Sequence, residues 1–214
     1  MIAGFRARAL AFALLLPGLP GPAAAQDVLP PAPPGGEMLE PLQPPDTLPR
    51  IDADKTRGLD FLFDALKAAP DAEAARFIEN RIWAQWMRSG SDTAGLLMSR
   101  VREAVQGQDL DLAVRLLDAL VQVRPDYVEG WNRRATLHFL QKDFSRAMAD
   151  LEQVLRREPR HFGALSGVGI ILQEFGRDQG ALDAFRRALS IHPHLQRVPE
   201  IVKRLSEKVE GRDI

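Results

Sequence analysis

The chain has 214 residues, 45% hydrophobic and 27% charged, with a formal net charge of −1. That is globular composition, with length for one domain or a short array plus appendages. The near-zero charge lacks the clustered basic face that nucleic-acid binding requires, and the absence of cysteine excludes disulfides, thiolate chemistry, Cys-ligated zinc and a Cys-attached lipid.

Residues 1–25 read as a signal peptide. Arg6 and Arg8 precede the apolar run Ala9–Leu16, Pro17, Pro20 and Pro22 come after it, and Ala23, Ala24 and Ala25 offer small residues to a signal peptidase. The run is far shorter than the ~20 residues needed to span a bilayer. With no twin-arginine pair, Sec-type export to the periplasm and cleavage before Gln26 are expected, leaving no integral membrane segment. Residues 26–56 contain eight prolines, from Pro30 to Pro49, and the pair Gly35-Gly36. Such a stretch buries too little apolar surface to fold and is expected to be an extended tether of ~3 Å per residue. PPAPP and PLQPP are too generic to mark it as the ligand of a proline-recognising groove.

Residues 57–91 have the pattern of a helical hairpin. Leu59, Leu62, Phe63 and Leu66 form one apolar face, and Pro70 ends that helix. Asp71 is placed to cap a second helix, whose face carries Ala75, Ile78, Ile82 and Trp86, flanked by Phe77, Trp83 and Met87. The pair is out of phase with the periodic pattern that begins at Ala94 and is expected to be an N-terminal capping hairpin or a degenerate repeat. Trp83 and Trp86 have the spacing of core aromatics rather than of a ligand site.

From Ala94 the chain repeats every 34 residues: 94–127, 128–161 and 162–195. Trp131 falls in phase with Leu165, Ala135 with Gly169, Ala147 with Ala181, Leu151 with Phe185 and Pro159 with Pro193. That period belongs to stacked helix–turn–helix repeats. The pattern resembles the tetratricopeptide repeat, with a bulky residue at position 4, small residues at 8, 20 and 27, Leu or an aromatic at 24 and Pro at 32. The first repeat is the weakest, with Val101 at position 8. The resemblance implies an all-α, right-handed superhelical array over residues 92–211, closed by an amphipathic capping helix at 199–209. Asp109 and Asp143 are placed to cap the second helix of their repeats, and Asp126 the first helix of the next. Arg134 stands where the family has an apolar residue. It is expected to lay its stem along the surface with the guanidinium in solvent, loosening that seam.

No catalytic motif appears, and His192 and His194 fall short of the three or four convergent ligands a metal site needs. The chain is therefore expected not to be an enzyme and to hold no cofactor or metal. The resemblance implies that first helices line a concave groove for a protein or peptide partner. Its implied lining is Met98, Arg102, Val105, Glu129, Asn132, Thr136, Phe139, Leu140, Ser166, Ile170 and Gln173. Phe139 would be the anchor, with Arg102 and Asn132 setting register. The basic set by which relatives clamp C-terminal carboxylates is not reproduced. The expectation is an exported adaptor or scaffold in the bacterial cell envelope. The alternatives are a small periplasmic enzyme or metal-binding protein on a helical array, or a self-associating subunit using exposed apolar surface. N-terminal sequencing of the exported protein should start at Gln26; an intact Met1 on a membrane-bound chain would refute the export reading.

Overall fold

The computed structural model describes residues 55–211. The expected signal peptide and residues 26–54 of the expected tether lie outside them, while Lys55 and Thr56, assigned to the tether's end, already belong to a helix. Among the described residues the regular structure is helical: α1 (Lys55–Lys67), α2 (Ala72–Trp86), α3 (Asp92–Gln106), α4 (Leu110–Val123), α5 (Val128–Leu140), α6 (Phe144–Arg157), α7 (Phe162–Glu174), α8 (Asp178–Ile191) and α9 (Val198–Val209). The three repeats are α3–α4, α5–α6 and α7–α8. Each helix packs chiefly on its hairpin partner, and α9 packs on α8 as the closing helix. Leu205 of α9 is buried, and Arg186 ties the end of the helix down through Glu210 at 2.6 and 2.8 Å.

Local chemistry accounts for where the helices start and stop. The Asp71 side chain accepts from the Ala74 N–H at 2.8 Å, Asp109 from Leu112 at 2.9 Å and Asp143 from Arg146 at 3.0 Å, each satisfying a donor that a helix start leaves open. Asp126 does not cap α5. It is held by Arg124 at 2.9 and 3.1 Å, and the residue at the helix boundary is Tyr127, which makes no side-chain cap. The turns within the repeats share one device: Gln108, Lys142 and Gly176 have φ of 61°, 62° and 67°. Their N–H groups close on the carbonyls of Val105, Phe139 and Gln173, a left-handed helix ending. Only the third repeat uses glycine there, so Gln108 and Lys142 carry strain of roughly 1–2 kcal/mol each.

Inside the repeats, small residues let the paired helices approach. Ala135, Ala147 and Ala181 are fully buried. Gly169 faces a ring rather than a second small residue: a Cβ built there would lie 2.8 Å from carbons of Phe185, itself fully buried. The corresponding pair in the middle repeat is Ala135 and Leu151, a larger small residue with a slimmer partner. The two repeats thus divide the same volume differently, as close-packed interiors require.

Arg134 overturns the expectation for its seam. Its guanidinium is not in solvent. It bonds Asp150 of α6 through two nitrogens, at 2.9 and 2.7 Å, and Asp118 of α4 at 2.8 Å, and it lies 5.0 Å from the Trp131 ring centroid. One cation therefore ties the second helices of two successive repeats. Asp150 is only 4% exposed, so removing its partner would strand a buried charge, a loss of about 3–5 kcal/mol. Arg157 covers Trp131 at 5.1 Å, and both Arg157 and the Trp131 indole donate to the Pro125 carbonyl. The seam is clamped, not loose.

Gly169→Ala should lower stability by about 1–3 kcal/mol through overpacking. Adding Phe185→Leu should recover most of the loss, because it recreates the pairing of the middle repeat. Denaturant titration of the single and double variants measures both; an equal loss in the two would mean the Phe185 ring is not the obstacle.

Candidate functional site

The inner helices α3, α5 and α7 carry the residues expected to line a groove, and the structure divides them. Met98, Glu129, Asn132, Thr136, Phe139 and Ser166 are buried, Ile170 and Gln173 are half-buried, and Arg102, Val105 and Leu140 are exposed. Thr136 and Ser166 spend their hydroxyls on the carbonyls four residues back, at 3.0 and 2.9 Å. The Asn132 amide donates to the Glu129 carboxylate at 3.2 Å, so it is committed within the chain rather than offered to a partner. Phe139 sits in a core cluster with Ala135, Leu151 and Ile171, where its ring closes packing between repeats. The expected anchor is therefore a packing residue as the structure stands.

Part of this burial comes from an element the sequence places elsewhere. The α1–α2 hairpin shares its core with the third repeat: Leu62, Phe63, Leu66, Trp83 and Trp86 pack in one cluster with Phe162, Leu165, Leu182 and Phe185. The helix α2 crosses the loops between repeats. The Tyr127 hydroxyl donates to the Met87 carbonyl at 3.1 Å. Trp86 stacks on His161 with ring centroids 4.1 Å apart and planes 8° from parallel. Trp83 meets Phe162 edge-on at 5.7 Å, and its ring lies where a Cβ on Gly163 would approach to 3.2 Å. Farther along, Glu79 pairs with His192 at 3.3 Å, and His194 donates through Nε2 to the Ala69 carbonyl at 2.9 Å. Trp83 and Trp86 are core aromatics as expected, but the core is one they share with the array.

Glu129 is a buried carboxylate on this face, 1% exposed. The His161 Nδ1 accepts the Ala164 N–H at 3.0 Å, which leaves its Nε2–H to donate to Glu129 at 2.9 Å. One imidazole thereby caps α7 and supplies a hydrogen bond to a buried carboxylate on α5. Burial alone would raise the Glu129 carboxyl. His161, the nearby Arg133 charge and the Asn132 amide outweigh it and hold the group below its ordinary value of 4.5. Burial pushes the Tyr127 hydroxyl up to about 12.

The uncovered remainder of this side is apolar along the turns within the repeats. Val105, Leu140 and Phe175 are 36%, 41% and 61% exposed. Phe139, Phe144 and Phe175 form a row with centroids 5.5 and 5.6 Å apart. Beside it lies an open depression of about 420 Å³ lined by Gln141, Lys142, Asp143, Phe144, Ser145 and Phe175. Sequence reasoning does not single out Phe144, Phe175 or His161 as site residues. Position 34 offers a signal for one of them, because Tyr127, His161 and Leu195 recur there in phase, and all three are buried. Among the described residues no three His, Cys, Asp or Glu side chains converge as metal ligands, and no helix is long and apolar enough to cross a membrane.

Comparison with known proteins bears on this arrangement. A family profile described as "Tetratricopeptide repeat" matches residues 98–154 and 142–195. A "TPR repeat-containing protein" of Rhizobium etli is 44% identical over 153 residues, which is 72% of this chain and 75% of that one. The chain belongs to the tetratricopeptide repeat (TPR) family. Its match to the Rhizobium protein is longer than everything from Ala94 onwards, so it reaches back through α2 and includes the helix that covers the TPR array. Among solved structures, the first TPR domain of Spaghetti (RPAP3) bound to an HSP90 peptide aligns with a TM-score of 0.53 at 18% identity. It covers 56% of this chain and 95% of that one. The TPR2B domain of yeast Sti1, in a pHsp70 complex, aligns at 0.51 and 16%, covering 55% and 99%. At these identities the likeness establishes the TPR fold.

The lowered Glu129 carboxyl makes this face acid-sensitive. A carboxyl depressed on folding contributes stability that is present above the unfolded value, about 4.5, and is lost as pH falls through the folded value. Melting temperature should therefore fall on acidification below about pH 4.5, and Glu129→Gln should flatten that limb of the profile while lowering stability at pH 7. An unchanged acid limb in the variant would show that Glu129 is not the group responsible.

Proposed function

We propose that this TPR protein is a non-enzymatic adaptor that holds a protein partner on its inner face, in the cell envelope after export by a cleaved signal. The observation that carries the reading is that the inner side of the array is already used to hold a helix, α2, through aromatic stacking and a few polar contacts. A surface that seats one amphipathic helix has the shape and chemistry of helix-in-groove recognition. The peptides bound to the RPAP3 and Sti1 domains support peptide recognition by this fold. Export rests on residues 1–25, with their Arg6 and Arg8, apolar core and Ala23–Ala25 end.

The apolar row at Val105, Leu140 and Phe175 is the part of this side open to a partner as the structure stands, with exposed Arg102 one turn before Val105. Large apolar groups at the centre of an interface carry a disproportionate share of its energy. In capture from an envelope fraction by tagged full-length protein, Leu140→Asp and Phe175→Asp should each cut recovery of the specific partner at least tenfold. Arg102→Glu should weaken it less. Because these side chains are exposed, melting temperatures should stay within a few degrees of wild type. Undiminished capture by all three folded variants would remove this face as the binding site.

A further inference from the structure

The helix α2 sits on the array as a ligand sits on a receptor. Its contacts advance in step with the repeats. Met87 lies at Tyr127, Trp86 and Trp83 at His161 and Phe162, and Glu79 at His192. On the helix these are positions four apart, Met87, Trp83 and Glu79, with Trp86 three from Trp83, so they share one face. On the array they are successive loops between repeats. Glu79 also accepts from the Trp83 indole N–H at 3.2 Å, setting the ring at the angle at which it meets Phe162.

The seat is well filled but incompletely satisfied. Four buried side-chain nitrogens among the described residues have no hydrogen-bond partner, and three are at this seam: Trp86 Nε1, Arg133 Nε and His192 Nδ1. Each is a cost that the docked state bears. An ion pair between α1 and the array, Arg160 with Asp60 at 2.7 Å, is 38% and 53% exposed, which makes it weak, and the hairpin turn is held by the hydrogen bond from His194 to the Ala69 carbonyl at 2.9 Å. The connection to α3 is short and open. Arg88 and Gly90 are exposed, Gly90 has a φ of 63°, and nothing lies near the position its Cβ would take. The α3 helix has its own cap in Ser91, so it does not need α2 in order to start.

We infer that α2 is a resident ligand: the surface made by Tyr127, Glu129, His161, Phe162, Gly163 and His192 is a receptor for an amphipathic helix, and a partner helix with two aromatics three residues apart and an acid four before the first takes the place of α2. The inference rests on the reading of the inner face as a protein-binding surface and adds what regulates it, since the hairpin must leave before the partner enters. Capture then depends on a competition within the chain, and the apparent affinity is reduced by the fraction of molecules in which the receptor is free.

Two measurements on the full chain test this. In the first, a fluorescein-labelled peptide of residues 71–88 is titrated into wild type and into Trp83→Ala/Trp86→Ala. The variant, with its own helix released, should bind the peptide at least tenfold more tightly than wild type, and a peptide carrying the same two substitutions should not bind. Gly163→Val, which places a branched side chain against the Trp83 ring, should release the hairpin and yet fail to take up the peptide. Equal binding by wild type and the double variant overturns the proposal. The second needs no variant. Native-state hydrogen exchange of wild type should show α1 and α2 amides exchanging at least tenfold faster than those of α5–α8, through an opening that leaves the array protected. Exchange of hairpin and array together would make the hairpin an inseparable part of the fold, and so overturns the proposal even if the double variant fails to fold. Peptide binding without any envelope partner would sink the adaptor reading alone. Partner capture by a chain whose hairpin never opens would sink only this inference.

Discussion

Trp86 lying flat on His161 is the contact through which the two parts of this molecule become one. The imidazole can accept that stack because both of its nitrogens are already committed, one to the first turn of α7 and one to Glu129. Had Glu129 no such donor, a carboxylate on the inner face could not be buried without a large desolvation cost. With it, the carboxylate is covered and the face presents the flat imidazole ring on which the Trp86 indole stacks. Burial of Glu129 and the position of α2 meet in that three-residue column.

The fold is legible in the sequence wherever contacts run at the repeat period. The 34-residue spacing locates the three hairpins, and Asp71, Asp109 and Asp143 cap the helices they are expected to cap, because a cap reaches only three residues along the chain. Arg134 is illegible because its meaning lies with Asp118 and Asp150, each 16 residues away on other helices. Position-by-position comparison with a family flags an odd residue but not its partners. Asp126 misleads for the opposite reason: it has a nearer partner in Arg124 than the helix start beyond it.

The candidate site is less legible than the fold. Repeat position predicts which side chains of α3, α5 and α7 point inward, and Arg102, Val105 and Leu140 remain exposed there. It does not predict what comes to rest on them. The hairpin pattern of residues 57–91 suggests a cap on the end of the stack. The apolar faces of α1 and α2 are equally suited to the third repeat, and hydrophobic burial, being non-directional, does not tell the two apart. The deciding features are particular: a glycine at 163 that leaves room for the Trp83 ring, and histidines at 161, 192 and 194 that meet Trp86, Glu79 and the Ala69 carbonyl.

The distances along the chain between those partners govern how the molecule comes together. Within the array, helices meet neighbours a few dozen residues away at most, and such local closures are fast. The hairpin closes far longer loops: 100 residues from Asp60 to Arg160, 113 from Glu79 to His192 and 125 from Ala69 to His194. The hairpin is synthesised before the array, and these contacts can form only once residues 160–194 are present. Until residues 161–195 have been synthesised, Trp83 and Trp86 have only their own hairpin, Phe63 among it, to cover them and lack the rings of His161 and Phe162. The order of synthesis thus leaves the aromatic face of the hairpin half covered until the array exists to receive it.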